Sequence, residues 1–152
     1  MEREIKLRLI KHATFLENEL QDFPSFRSLL REDYHKERSK RRDVERWVEN
    51  IINSTIDISK IILVSENIPA PDTYKELVGS ISLVPGFDKE RMGKLSEWIR
   101  FRNIITHEYL DIRWASIRKF IEEAEPLYRN FLKDVKEYLE RELEVDSKKR
   151  EP

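Results

Sequence analysis

The chain has 152 residues, 39% of them charged and 39% hydrophobic, which excludes a globally disordered chain and supports a hydrophobic core. Its 29 lysines and arginines nearly balance its 30 aspartates and glutamates, which excludes a protein that binds nucleic acid through a strongly basic overall surface. The lack of cysteine excludes disulfides and thiolate sites. Since no apolar run is long enough to span a membrane and residues 1–10 do not read as a signal peptide, we expect a cytoplasmic protein.

Apolar residues recur at spacings of three and four along most of the chain, which is the pattern of amphipathic helices. The pattern predicts, in chain order, helices over residues 2–20, about 35–66, a short segment before Pro85, about 89–109, and 111 to about 143. Pro126 lies inside the last helix and should kink it. Short connections favour an all-α, up-and-down bundle of four to five helices in one domain, residues 1–144, followed by a charged flexible tail, residues 145–152.

Polar side chains mark three of the predicted helix starts. Asp72 or Thr73 caps the short helix, and Glu76 is placed to complete a capping box. Asp88 caps the helix that follows. Asp111 is expected to start the last helix.

The predicted helix over 89–109 carries two apolar stripes. They consist of Met92, Leu95 and Ile99 on one side, and of Trp98, Phe101 and Ile105 on the other. A helix that is apolar over so wide an arc is buried on two sides. One side can pack in its own bundle and the other most simply meets a second protomer, so the pattern predicts a homodimer in which residues 91–109 approach their symmetry mates.

Polar residues continue the first stripe where the spacing would predict leucine, at Arg102, Asn103 and Thr106. At about 100° per residue, Asn103 and His107 share a face, and Tyr109 lies nearly above Arg102. An arginine, a histidine and a tyrosine so close together supply an anion clamp, a proton-transfer group and a hydroxyl. This set suits phosphodiester chemistry without a metal ion. The three histidines are too scattered for a metal site, and no cofactor is indicated.

The segment Phe101-Arg102-Asn103-Ile-Ile-Thr-His107-Glu-Tyr109 resembles the Arg-polar-x3-His signature of HEPN domains, in the Arg-x4-His-x-Tyr form of HepT-like toxins. The similarity covers about residues 40–142. It includes the isoleucine-rich long helix and the Pro-x-Thr-Tyr-Lys-Glu-Leu segment that begins at residue 71. Residues 1–40 exceed what a minimal member of the family needs, and their role is open.

The resemblance implies a homodimer of HEPN-like bundles with two motifs facing one cleft. It would act as the metal-independent endoribonuclease toxin of a toxin–antitoxin system, cleaving RNA with Arg102, His107 and Asn103. Its cognate antitoxin would be a minimal nucleotidyltransferase of the MntA type, which would adenylylate Tyr109. The alternative is a non-catalytic helical subunit that binds a nucleotide or a substrate and partners a nucleotidyltransferase.

Each of the four residues also has a simpler interpretation. His107 near a helix C-terminus could interact with the helix dipole, and Arg102 could form an interface salt bridge. Asn103 could orient His107 or close the helix end. Tyr109 could pack against Leu110 or Trp114.

A basic run over residues 36–46 also has two interpretations. Acidic residues are interleaved with its lysines and arginines, which favours a solvated helix face over an RNA-backbone contact. The other two histidines are interpreted as ordinary surface or core-edge residues, and Trp47 and Trp114 as core or interface residues.

Overall fold

The structure, a computed structural model, describes residues 1–150. Over these residues it is built of α-helices joined by short turns and contains no β-strand, which confirms the predicted all-α bundle. The helices are α1 (Arg3–Leu20), α2 (Phe23–Arg27), α3 (Arg31–Lys36), α4 (Arg38–Ser65), α5 (Tyr74–Gly79), α6 (Lys89–Glu97), α7 (Phe101–His107), α8 (Leu110–Glu123) and α9 (Glu125–Arg150). Short 3₁₀ turns, Ser80–Leu83 and Trp98–Arg100, follow α5 and α6.

The long helix α4 forms the centre of the bundle. Ile51, Ile58 and Ile62 on α4 are fully buried, and each such side chain stabilises the fold by about 1.5–3 kcal/mol relative to exposure. Helix α1 packs along α4 and α9, while α3 and α8 pack against α4 and each other. Helix α5 packs on α4 and α6, and α4 also contacts α7, which carries the motif.

Aromatic rings gather around Phe120 of α8, which is fully buried. Five rings lie with their centroids 5.5–6.4 Å from that of Phe120: those of Phe23, Trp47, Trp98, Phe101 and Tyr128. Ring pairs at such distances add about 0.5–1.5 kcal/mol beyond their buried area. Trp47 and Trp114 are both buried, so the prediction that they are core residues is confirmed.

Two of the predicted helix starts are confirmed, and the predicted kink becomes a break. The hydroxyl of Thr73 accepts a hydrogen bond from the Glu76 amide at 3.2 Å, and the Asp88 carboxylate accepts one from the Arg91 amide at 2.9 Å. Near Pro126 the chain forms two helices, α8 and α9, instead of one kinked helix. Proline there falls in the first turn of α9, where its missing N–H leaves no helical hydrogen bond unmade.

The helix predicted over residues 89–109 is divided in three. Because side chains three residues apart are eclipsed in a 3₁₀ turn, Trp98 and Phe101 meet edge to face, 4.7 Å apart, and both reach Phe120. Trp98, Phe101 and Ile105 are only 7%, 2% and 6% exposed within a single chain. Met92, Leu95 and Ile99 of the first stripe are buried as well, so the chain's own helices cover both stripes, and the homodimer stays a prediction.

The C-terminal helix extends beyond the predicted domain end at residue 144. It continues to Arg150, so the described part of the segment predicted to be a tail is helical, and Lys6 pairs with Asp146. Residues 151 and 152 lie outside the described residues. In the described part of the chain, no helix combines the length and the apolar character needed to cross a membrane.

Candidate active site

Helix α7 and the link that follows it carry the four predicted site residues. Arg102 and Asn103 lie in the first turn of α7, and His107 is its last residue. Ile105 points into the core, which turns the opposite side of this short helix outward. Arg102 is half-buried, while Asn103, His107 and Tyr109 are exposed. The fold thus presents these residues at an open corner between α7 and α8.

The Arg102 side chain is held by an aromatic ring. Its guanidinium carbon lies 4.9 Å from the centroid of the Tyr74 ring, at the start of α5. A contact of this kind contributes about 0.5–1 kcal/mol at an exposed site. Among the described residues, no carboxylate lies within 4.0 Å of the Arg102 guanidinium, so its donors are not engaged in an internal ion pair. No role was predicted for Tyr74, because this contact joins helices far apart in the chain.

His107 closes α7, because Glu108 adopts an extended conformation and ends the helix. The imidazole is exposed, and no hydrogen bond to it is made by another described residue. Asn103 is exposed one turn earlier, and the two side chains are not hydrogen-bonded to each other. Both ring nitrogens of His107 are therefore accessible to a ligand.

Tyr109 lies in the extended link and not on α7. The predicted position above Arg102 was wrong because the helical rotation stops at His107, and Glu108 and Tyr109 have ψ angles of 161° and 158°. Tyr109 is 85% exposed, so it does not pack against its neighbours. Its side chain is thus open to solvent two residues after His107.

The N-terminal segment contacts this corner through Asp111. Helix α8 begins at Leu110 with Tyr109 as its N-cap, one residue before the start predicted at Asp111, which lies in the first turn. The Asp111 carboxylate lies 2.9 Å from Nε2 of His35 and accepts a hydrogen bond of 3.2 Å from Arg31. The contacts with His35, and then with Arg31, hold the pKa of Asp111 below its ordinary value. Residues of α3 thereby contact the first turn of α8, directly after Tyr109.

The sequence model of the family described as Ribonuclease HepT-like matches residues 16–135. The chain belongs to this family. No curated protein matches it. The matched region contains α7 and the whole corner, and it begins inside α1, earlier than the boundary near residue 40 expected from the resemblance. Helices α2 and α3 of this HepT-like chain are thus part of the family region.

Below the corner, an ionic network joins three helices of the HepT-like bundle. Arg113 of α8 donates to both carboxylate oxygens of Glu45 on α4, and the buried Tyr34 of α3 donates to Glu45 at 3.4 Å. Burial, together with the Glu45 charge, raises the pKa of Tyr34 to about 12. The hydrogen bonds to Glu45 raise the pKa of Arg113. The network fixes α8 one turn after the exposed tyrosine.

The basic run over residues 36–46 lies at the α3–α4 junction. Lys36 pairs with Glu32 at 2.7 Å, and Lys40 pairs with Glu37 at 2.8 Å. All four side chains are exposed, and such pairs contribute little to stability. The arrangement agrees with a solvated face. Within the described residues, no group of three or more metal-ligating side chains is placed to hold a metal ion.

Proposed function

We propose that the protein is a metal-independent endoribonuclease in which Arg102 and His107 act at the α7–α8 corner. One observation carries the proposal: in a chain of the HepT-like ribonuclease family, the short helix α7 carries an arginine and a histidine that have no ionic partner among the described residues. Asn103, exposed on the preceding turn, would donate a hydrogen bond to the substrate.

The proposed reaction uses the 2′-hydroxyl of the RNA as its nucleophile. His107 accepts the proton of this hydroxyl while its oxygen bonds to phosphorus and the bond from phosphorus to the 5′-oxygen breaks. The leaving oxygen takes up a proton, which gives a 2′,3′-cyclic phosphate and a 5′-hydroxyl. Proton transfer of this kind contributes about 10²–10⁴-fold, and Arg102 stabilises the charge that builds on the phosphoryl oxygens.

The chemistry favours a homodimer, because it needs both a base and an acid. Of the other histidines, His12 lies on α1 and His35 is engaged with Asp111. A symmetry-related protomer would bring a second His107 to the same cleft, and one imidazole could accept a proton while the other donates. The dimer would thereby complete a site that one chain only half supplies.

Regulation in this proposal acts on Tyr109. We infer that the protein is the toxin of a toxin–antitoxin pair acting on cytoplasmic RNA and that a MntA-type minimal nucleotidyltransferase is its antitoxin. A tyrosine that is 85% exposed is open to such an enzyme. Transfer of AMP from ATP would join the hydroxyl to the α-phosphate and release pyrophosphate. The added anion would compete with the RNA phosphate at this corner.

Cleavage of a labelled single-stranded RNA by the purified protein in EDTA tests the proposal. We expect His107→Ala and Arg102→Ala to lower the rate at least about 100-fold. His12→Ala is the matched control and should cleave normally. A 2′-deoxy nucleotide at the cleaved position should block the reaction. Intact RNA with the wild type would favour the non-catalytic subunit, and a requirement for a divalent ion would refute the mechanism.

The regulatory part is tested by intact-mass measurement after incubation with the nucleotidyltransferase and ATP. The wild type should gain the mass of at least one AMP unit, and Tyr109→Phe should gain none. Tyr74→Phe, which removes another partly exposed hydroxyl, should behave as the wild type. A gain that persists in Tyr109→Phe would remove Tyr109 from this role.

A further inference from the structure

Two cations lie against one tyrosine ring beside the proposed active site. The ammonium nitrogen of Lys60 on α4 lies 5.0 Å from the centroid of the Tyr74 ring, and the guanidinium carbon of Arg102 lies 4.9 Å from it. Lys60 is exposed, and Tyr74 remains 43% exposed although both cations contact it. Three helices that are distant in the chain thus bring two positive charges and an accessible aromatic ring to one surface.

These charges are not neutralised within the described part of the chain. Nearby Lys75 pairs with Glu97 at 3.0 Å, and Arg113 pairs with Glu45. Lys60 and Arg102, by contrast, have no carboxylate within 4.0 Å among the described residues, and the Tyr74 ring is a contact that they share. Two unpaired cations near each other repel, and an anion bound between or beside them would relieve that repulsion.

The ring adds a feature that a plain phosphate site does not need. An aromatic face stacks on any nucleobase, and strings of cations and aromatic rings are typical of surfaces that track a single strand. A base inside a duplex is already paired and stacked, so such a ring can reach a base only in single-stranded RNA. The combination distinguishes a nucleotide ligand from a simple anion.

We propose that Lys60 and Tyr74 extend the Arg102 site into a binding surface for single-stranded RNA. Lys60 binds the backbone phosphate next to the cleaved one, and Tyr74 both positions the Arg102 guanidinium and stacks the exposed part of its ring on a base. This inference rests on the proposed ribonuclease function and names the class of substrate that the site takes.

The two residues should leave different signatures. Loss of one phosphate contact lowers the slope of log affinity against log salt by about 0.7 for a single strand. Loss of one base stack weakens binding by about 5- to 150-fold at any salt concentration. Lys60→Gln should therefore change the salt dependence, whereas Tyr74→Leu should weaken binding with little change in that slope.

Fluorescence anisotropy with a labelled RNA, free and annealed to its complement, provides the test. The His107→Ala variant serves as the background, so that the probe stays intact during titration. Lys60→Gln, Tyr74→Leu and Tyr74→Phe are added to it, with Lys133→Gln on α9 as a matched control for an exposed lysine. The first two should weaken single-strand binding as described, Tyr74→Phe should restore it because the ring is kept, and Lys133→Gln should bind as the background does.

Cleavage kinetics in the unmodified chain separate positioning from binding. Tyr74→Leu should lower kcat as well as raise KM, because Arg102 loses its support, while Tyr74→Phe should retain kcat. Thermal unfolding of each variant checks that these exposed positions leave the fold intact.

Several results would overturn the inference while the ribonuclease function stands. If the wild type cleaves RNA and the Lys60 and Tyr74 variants bind and cleave as it does, the surface takes no part. Equal affinity for the duplex would refute the single-strand preference. Weakened binding of the nucleotidyltransferase with unchanged RNA binding would make the surface a protein-contact site. Absence of cleavage by the wild type would instead refute the proposed function itself.

Discussion

Glu45 should contribute more to stability than any exposed acidic residue of the bundle, because it joins three helices below the motif. Its carboxylate accepts from Arg113 with both oxygens and from the hydroxyl of Tyr34. Replacing Glu45 with alanine removes the partner of both groups while they stay enclosed. We expect α8, and with it the start of the exposed corner, to lose its fixed position.

The magnitude follows from the burial of the two charges. Removing one partner of a buried ion pair costs about 3–5 kcal/mol, because the other charge is left without compensation. The Arg113 side chain is 22% exposed, so water can partly solvate its charge once Glu45 is removed. The expected loss of unfolding free energy therefore lies near the lower end of this range, about 3 kcal/mol. For a chain of this length, that loss lowers Tm by about 6–12 °C.

Urea unfolding followed by circular dichroism measures this loss as a shift of the midpoint at constant slope. Glu122→Ala is the matched control, because Glu122 pairs with Arg118 on an exposed face of α8 and should change stability by less than about 1 kcal/mol. Replacing Glu45 and Arg113 together with apolar residues of similar volume should recover much of the loss. A Glu45→Ala effect as small as that of the control would refute the reasoning.

Three further predictions concern the fold. Because Tyr34 has a pKa of about 12 when folded and an ordinary value of 10.0, its contribution to stability is complete below pH 10 and is lost as pH rises through 12. Tyr34→Phe should therefore reduce the fall in urea midpoint over this range, and an unchanged fall would contradict the argument. Phe120→Ala should lower the free energy of unfolding by about 3–5 kcal/mol in urea titration, whereas Phe15→Ala, at a side chain that is 42% exposed, should cost far less. Thr73→Ala should lower the free energy of unfolding by about 1 kcal/mol because Thr73 caps α5, while Asp72→Ala should lower it little. Equal shifts in Tm for the two variants would show that Asp72 caps the helix as much as Thr73 does.

The apolar spacing and the breaks in it determined most of the helices. The long helix was predicted over about 35–66 and is found at Arg38–Ser65, because a five-turn apolar face leaves few other ways to bury its isoleucines. Thr73 and Asp88 cap their helices as predicted, since a side-chain oxygen next to the first free amides acts locally. The motif on α7 could also be recognised from the sequence, because its residues are close together in the chain, and the family match spans them.

Only the tertiary structure decided what lies around that motif. The second apolar stripe is covered by Phe120 and its neighbours, and periodicity can show that a face is buried without showing what buries it. The end of α7 at His107 removed the helical relation between Arg102 and Tyr109, since helix termini depend on a few backbone angles that propensity does not fix. The contact of Tyr74 with Arg102 and Lys60 joins α5, α7 and α4, and no spacing rule relates residues on separate helices. Local sequence sets which face of each helix is apolar, whereas the packing of those faces sets which polar side chains meet.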